Sequence, residues 1–328
     1  MKFLKKKLKK ARLKEEVSRR CEAIPPGRWN RFAPPLKTQF KLKMIPKRII
    51  SGEFVAVKKC RYGYFAYNKN DLFIGRSLDL YGEWSQPEMD LLNNFINPSD
   101  IICDIGAYIG THSVFFAKKV APTGTVIAVE PQRSAFELLN ANLALNSIIN
   151  TIAINAFASD KKEKVAVPLL NPYVKQNFGA LRISRFKEGE IVSSITIDNL
   201  HLKNCHLIKI DTEENEDKIL KGAQKTIKKF KPILYVENNE TEDAGKIIKA
   251  VFDLGYHPFW HIFYYFNPQN FFKNKKNVFA KFAPEANMIC FPKKPKNIPN
   301  FLEPVTGLDD NWQKALKRIN LPRQSKRL

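Results

Sequence analysis

Four acids stand where apolar runs end: Asp104, Glu130, Asp211 and Glu237. Asp104 follows Ile101-Ile-Cys103 and opens a glycine turn, Asp104-Ile-Gly106-Ala-Tyr108-Ile-Gly110. A helical pattern comes next, with Val114, Phe115, Ala117 and Val120 apolar, and a second apolar run from Thr125 ends in Glu130. Strand, glycine turn, helix, strand and acid in this order form a unit that holds a nucleoside. Glycines let the backbone pass close to a ligand where a Cβ would collide. An acid 20 residues after Gly110 can accept hydrogen bonds from both ribose hydroxyls.

The charge of the turn narrows the ligand. Thr111, His112 and Ser113 stand where the dinucleotide fingerprint has its third glycine. A pyrophosphate needs a bare helix N-terminus. Asp104 instead suits a cation, and S-adenosylmethionine carries an ammonium and a sulfonium. That donor is therefore expected ahead of a nicotinamide cofactor. The residues expected around it are Glu88, Asp104, Gly106, Tyr108, Gly110, Glu130 and Phe157.

The elements that must position these residues follow from periodicity. Strands are expected at 101–103, 125–129, 150–157, 205–211, 232–237, from 256 and at 286–291, with further strands at 164–169 and 192–197 flanking a polar loop. Helices are expected from Pro87, over 135–146, over 215–229, over 244–254 and within 309–319. The alternation implies an α/β fold, a mostly parallel sheet with helices on both faces. In such sheets ligands bind at the carboxyl ends of strands, where the four acids gather. The expected organisation is a basic helical tail at 1–24, an extension of short strands at 25–80, the main domain at 81–293 and a basic tail at 294–328.

Composition bounds the rest. Fifty-five Lys and Arg against 32 Asp and Glu leave a net charge of +23, which suits nucleic acid, anionic lipid or an acidic glycan, although Lys-rich composition alone explains much of it. Residues 1–20 hold ten Lys or Arg with Phe3, Leu4, Leu8 and Leu13 at helix-like intervals, so this stretch can lie on an anionic membrane. No apolar run reaches the ~18 residues that span a bilayer. The basic start lacks an apolar core behind it, and a secretory leader is not expected. Cys21, Cys60, Cys103, Cys205 and Cys290 show no Cys-x-x-Cys spacing and read as free thiols of a reducing cytoplasm.

The chain resembles the FkbM-type methyltransferases, a family of class I S-adenosylmethionine enzymes. The residues that carry the likeness are Glu83-Trp84 with Glu88, the turn 104–110, Glu130-Pro131, Asn142 with Asn146, and Asn177-Phe-Gly179. A second block reads Ile208-Lys-Ile-Asp211-Thr-Glu213-Glu214-Asn-Glu216, followed by Leu220-Lys-Gly222 and Pro232-Ile-Leu-Tyr-Val-Glu237-Asn238. The resemblance implies a Rossmann-like fold and O-methylation of a hydroxyl on a sugar, glycan or secondary metabolite. Two departures stand out: Tyr108 where the family usually has Asn, and Glu214 where it usually has Gly.

Methyl transfer needs alignment of donor and acceptor and a base for a poorly nucleophilic hydroxyl. Asp211, Glu213 and His261 are the candidates. Asp211 can act as base or hold the methionyl ammonium, and neighbouring acids would raise one another's pKa. The aromatic stretch 257–272 reads either as core or as a pocket wall. Asp211, Glu237 and Asn238 are oxygen ligands that suit magnesium, but no metal is expected. Nucleic acid is disfavoured as substrate, because Asp211-Thr-Glu213-Glu214 stands where base-methylating enzymes place Asn/Asp-Pro-Pro-aromatic and would repel phosphates. An inactive scaffold of the same fold is the remaining alternative.

Overall fold

The computed structural model describes residues 49–183, 186–239 and 244–319. The chain divides into Met1–Gln39 and Phe40–Leu328. All described residues belong to the second unit, and the expected basic helix at 1–24 lies outside them. Strands β1 (Ile50–Ser51), β2 (Val55–Cys60) and β3 (Gly63–Asn68) form an antiparallel sheet, followed by α1 (Ile74–Tyr81) and α2 (Gln86–Leu92). Then come β4 (Ile101–Ile105), α3 (Thr111–Val120), β5 (Thr125–Val129), α4 (Arg133–Leu145) and β6 (Thr151–Ile154). Three strands form a side sheet, β7 (Phe157–Ala158), β8 (Lys164–Val167) and β9 (Glu190–Ile195). The chain returns through β10 (Leu207–Ile210), α5 (Glu216–Lys221), α6 (Gln224–Phe230), β11 (Ile233–Glu237) and α7 (Ala244–Asp253). It ends with β12 (His257–Phe263), β13 (Glu285–Phe291), β14 (Leu302–Pro304) and α8 (Trp312–Ile319).

The central sheet has the order β14-β12-β13-β11-β10-β4-β5-β6. The five strands from β11 to β6 are parallel, and β12 to β14 add antiparallel pairs. Successive strand residues point to opposite faces. Ile102, Val126 and Leu207 pack with Met89, Phe115 and Phe116 of α2 and α3. Cys103, Ile127 and Ile208 pack instead with Ile219, Ile227 and Ile248 of α5, α6 and α7. Burial on both faces is why these strands read as unbroken apolar runs. Among the described residues no helix is long and apolar enough to cross a membrane. Cys60, Cys103, Cys205 and Cys290 are buried free thiols.

Several elements differ from expectation. The single helix expected over 215–229 is two helices. A Cβ on Gly222 would lie 2.2 Å from the Ser159 carbonyl, so the backbone is pressed against its neighbour there. Asp198 then starts α6 afresh by accepting the N–H groups of Lys225 at 3.1 Å and Thr226 at 2.8 Å. The strand expected over 150–157 breaks at Asn155, whose amide donates to the carbonyls of Glu130 and Pro131. Beyond it β7 leaves the main sheet and pairs with β9. Helix α1 and strand β14 were not expected.

The small N-terminal sheet is joined to the main fold by side-chain amides. Asn142 on α4 accepts the Ala66 N–H at 2.6 Å and donates to the Ala66 carbonyl at 3.0 Å and the Ile109 carbonyl at 2.8 Å. One turn on, Asn146 repeats the pair with Tyr64, accepting at 3.0 Å and donating at 2.7 Å. Two asparagines at i and i+4 thus imitate a strand along the edge of β3. Asn142 is fully buried, so its loss strands backbone groups away from water. Asn142→Ala is expected to cost about 3 kcal/mol, at ~1–3 kcal/mol per unsatisfied group. Asn146→Ala, at a half-buried position, should cost less. Urea unfolding of both variants measures the difference, and equal costs would contradict this account.

Candidate functional site

The acids at the carboxyl edge surround a cavity of about 1040 Å³, counting its open mouth. Its first wall is the turn after β4. Gly106 has φ +81°, and a Cβ there would fall 1.7 Å from the Asp211 carbonyl. The ends of β4 and β10 therefore meet at a distance only glycine allows. Gly110 has φ +83°, but its Cβ would meet Leu139, so this glycine serves helix packing and does not line the cavity. Between them Tyr108 sits in the left-handed region at φ 48°. Its N–H donates to Glu130 Oε2 at 2.8 Å, and the Gln132 N–H donates to Oε1 at 2.8 Å. Glu130 lines the cavity beside Phe157, and burial pushes its carboxyl up to about 7 against these two bonds. The Tyr108 hydroxyl donates to Asp71 Oδ2 at 3.1 Å, tying the turn to the N-terminal lobe.

The floor holds a buried cation that sequence reasoning left without a role. Lys209 on β10 is 2% exposed. Its ammonium lies 2.7 Å from Asp211 Oδ2 and 4.0 Å from Asp104 Oδ1. Burial alone would lower its pKa, but Asp211, Asp104 and Glu88 raise it. A lysine between Ile208 and Ile210 in a strand buried on both faces had to be paired, and that was the available signal. Asp104 does not line the cavity: it lies beneath the floor, fully buried, accepting the Ser113 hydroxyl at 2.6 Å. The structure thus places it as a partner of Lys209, away from the cofactor wall expected for it. Glu88, in the first turn of α2, does line the cavity. His112 Nε2 lies 2.6 Å from Glu88 Oε2, and Asn287 donates to Oε1 at 2.6 Å. Burial alone would lift Glu88, but His112 and Lys209 hold it down to about 2.

The opposite wall carries Asp211, Glu213, Glu237 and Glu285. Glu213 has no hydrogen-bond partner among the described residues. Burial pushes its carboxyl up to about 8, aided by Asp211, Glu285 and Glu216 and opposed by Arg182. Glu237 is raised well above the usual range by burial and by Glu213 and Asp211. Glu285, which begins β13, is raised to about 7 by burial. Nothing in its local sequence marked it; β13 carries it to this edge because it runs antiparallel to β11. Above these acids Tyr265 stacks on Trp84 with ring centroids 5.4 Å apart. The aromatic stretch therefore divides: Tyr265 lines the cavity, while Trp260 is fully buried with its indole N–H on Asp310.

His261 is not brought to the cavity. Its Nδ1 lies 2.8 Å from the Tyr235 hydroxyl, and burial pulls its pKa down to about 4. Tyr235 in turn donates to Glu88 at 3.3 Å, so His261 stands one residue behind the floor. Among the described residues no group of three or more His, Cys, Asp and Glu is arranged to hold a metal ion.

Glu213 and Glu214 have φ of 57° and 87°. Glu214 pairs with Arg182 at 3.0 Å. The left-handed region costs an L side chain roughly 1–2 kcal/mol, which glycine avoids. Glycine in turn loses more chain entropy on folding, about 0.5–1 kcal/mol. Glu214→Gly is therefore expected to leave stability equal or higher, whereas Glu214→Val should lower it by about 1–2 kcal/mol. Thermal unfolding of the pair reads this directly, and equal effects would exclude a left-handed backbone here.

Residues 104–258 match the family model of the methyltransferase FkbM domain. Among curated proteins nothing matches. The FkbM methyltransferase of Methylobacillus flagellatus KT is 15% identical over 58% of this chain and 43% of that one, with a TM-score of 0.40. This chain therefore spans less than half the length of that protein. The precorrin-6y C5,15-methyltransferase of Geobacter metallireducens GS-15 is 11% identical over 62% of this chain and 87% of its own, at 0.41. M. jannaschii TYW2, solved in complex with AdoMet, is 15% identical over 76% and 88%, at 0.39. The glycine turn, Glu130, the β10 acids and Glu237 all fall inside the matched segment, so the chain carries a methyltransferase FkbM domain at residues 104–258.

Proposed function

We propose that this protein transfers a methyl group from S-adenosylmethionine to a hydroxyl of a sugar, glycan or secondary metabolite. The observation that carries the reading is Glu213, a cavity carboxylate without a hydrogen-bond partner among the described residues and with its pKa raised to about 8. A base poised near neutral pH is what a hydroxyl acceptor needs.

The residues present fit the cofactor. Glu130 is fixed by two N–H groups and keeps a lone pair on each oxygen for the ribose hydroxyls. Phe157 and Gln132 stand beside it, and Glu88, His112 and Asp211 line the other part of the same cavity. Clustered carboxylates with raised pKa suit a ligand bearing positive charge. When bound, S-adenosylmethionine supplies an electrophilic methyl group on a sulfonium. Lys209 occupies one oxygen of Asp211, which leaves the other for an ammonium or an acceptor hydroxyl. Of the three candidate bases Glu213 is assigned the role, and it takes the proton that the acceptor gives up. Trp84 and Tyr265 offer flat apolar faces to a ring and help exclude water. The acids of the same wall would repel a phosphodiester chain.

Glu213→Gln keeps the shape and removes the base. Turnover on a neutral sugar or phenolic acceptor should fall ~100-fold or more, with cofactor affinity little changed. The wild-type rate should rise with pH through about 8, because only the ionised carboxylate accepts the proton. Stability should move the other way. A carboxyl whose folded pKa lies above its unfolded value holds its proton longer in the folded state, so stability falls as pH rises from the usual carboxylate range to about 8. Glu213→Gln should lessen that fall, the remainder coming from Glu130, Glu237 and Glu285, and denaturant unfolding at several pH values measures the difference. A variant of full activity would sink the assignment.

Cofactor binding tests the ribose acid separately. S-adenosylmethionine at ~100 times its dissociation constant should stabilise the native state by about 2.7 kcal/mol. NAD should not. Glu130→Ala should remove most of that increment, read as the difference between liganded and free melting temperatures. An undiminished increment would rule out Glu130 as the ribose acceptor.

A further inference from the structure

Residues 264–284 join β12 to β13 as a strap without regular secondary structure. The strands it joins pair Phe263 with Glu285, so both ends of the strap stand at the carboxyl edge of the sheet, where the cavity opens. Tyr265 of the strap lines that cavity. The strap is fixed from below. Glu83, nearly fully buried, accepts hydrogen bonds from the Asn267 amide, the Phe271 N–H and Arg61 Nε, each at 2.8 Å. Tyr81 donates its hydroxyl to the Lys276 carbonyl at 2.8 Å, and Phe279 is buried against Phe73.

The strap turns three phenyl rings outward. Phe271, Phe272 and Phe282 are 40%, 38% and 44% exposed. Lys273, Lys275, Lys276 and Lys281 are exposed as well, and among the described residues none of them pairs with a carboxylate. The stretch 264–284 contains no acid at all. Exposed phenyl rings beside unpaired ammonium groups suit the boundary of an anionic bilayer, with rings at the acyl edge and lysines among the headgroups. Arg61 and Lys58 sit over the rings of Phe271 and Phe272, but each is paired with a carboxylate, Glu83 and Asp79, so the free charge of this surface comes from the lysines of the strap.

We propose that the strap is a docking surface that sets this protein on an anionic lipid bilayer. Three observations favour lipid over other occupants. The aromatic side chains are phenylalanines, with no polar tip to seek water. A second copy of the same surface would bring lysine against lysine. A nucleic acid led over the strap to the mouth would meet the acid wall of Glu213, Glu237 and Glu285. The surface borders the cavity mouth, so an acceptor displayed at a lipid headgroup would lie within its reach, a consequence that rests on the function proposed above. Docking itself does not depend on that function.

The test uses the full chain and vesicles of phosphatidylcholine with or without phosphatidylglycerol. Phe271→Trp reports depth, as its emission, corrected for the wild-type signal, should be quenched by brominated acyl chains in the anionic vesicles. The combined substitutions Lys273→Gln, Lys275→Gln, Lys276→Gln and Lys281→Gln, all at exposed positions, should weaken partition at least ~10-fold. Added salt should weaken the wild type and affect the variant less. The basic stretch 1–20 can bind vesicles by itself, so sedimentation of the wild type alone decides nothing. Absence of quenching overturns the proposal, and so does a lysine variant that partitions like the wild type. Loss of single-stranded RNA binding in that variant, with vesicle binding intact, would assign the surface to nucleic acid and overturn it equally.

Discussion

One buried ammonium organises the site. Lys209 cannot stand in the middle of a sheet unless carboxylates surround it, and Asp104 from β4, Asp211 from the end of β10 and Glu88 from α2 supply them. The dependence is mutual. Asp104 is fully buried and Glu88 nearly so, and two such carboxylates would repel each other without the cation between them. Each of these groups comes from a different element, so the charge network fixes how β4, β10 and α2 meet. Replacing one partner of a buried pair leaves a charge uncompensated, at about 3–5 kcal/mol. A floor of this kind is rigid because every member needs the others.

The wall above the floor follows the opposite logic. Glu130, Glu213 and Glu285 are raised to about 7 or 8, and Glu237 higher, with Arg182 the cation that opposes the shift at Glu213. Folding brings these carboxyls together at a cost, which is why their pKa values lie above the usual carboxylate range. A cationic ligand would offset the repulsion and release protons, so affinity and protonation are coupled. The chain as a whole carries +23, yet it concentrates acids where the glycine turn and the β10 end converge. Stability elsewhere, in the two apolar layers on either side of the sheet, allows this local cost.

The sheet was legible because its strands are apolar on both faces and end in acids, a pattern that needs no partner to be seen. Helices α3, α4 and α7 were legible from their periodicity. The division of α5 from α6 was not, because it depends on Ser159 and Asp198, which are remote in sequence from Gly222. Strand β7 left the main sheet for a similar reason. At the site, Glu130, Asp211 and Glu213 could be read from strand ends. Asp104 stands at the expected strand end, but its carboxyl lies beneath the cavity, against Ser113 and near Lys209. His261 has the chemistry of a base, but Tyr235 stands between it and Glu88, and sequence spacing says nothing about what intervenes. Glu285 and Asp71 come from segments whose period is too short or too irregular to place them.

The least legible parts share a physical cause. The N-terminal sheet and α1 share an apolar cluster with α3, β5 and α4, but their place, like that of the strap, is also fixed by polar side chains bonded to distant backbone. Asn142 and Asn146 bind β3, Glu83 binds the strap, and Asp71 accepts both the Gly75 N–H at 2.8 Å and the Tyr108 hydroxyl. Such bonds leave only single residues as their trace. Their effect is nonetheless ordered: Asp71 fixes Tyr108, whose strained backbone presents its N–H to Glu130, and Glu83 fixes the strap that carries Tyr265 to the cavity. The peripheral lobe is thus connected to both halves of the cavity through two buried carboxylates. A lobe joined in this way does more than cover the sheet: it sets the position of Glu130 from one side and the aromatic wall from the other. That gives a physical reason for Tyr108 where the family usually has asparagine, since an asparagine side chain is shorter than the reach from the turn to Asp71.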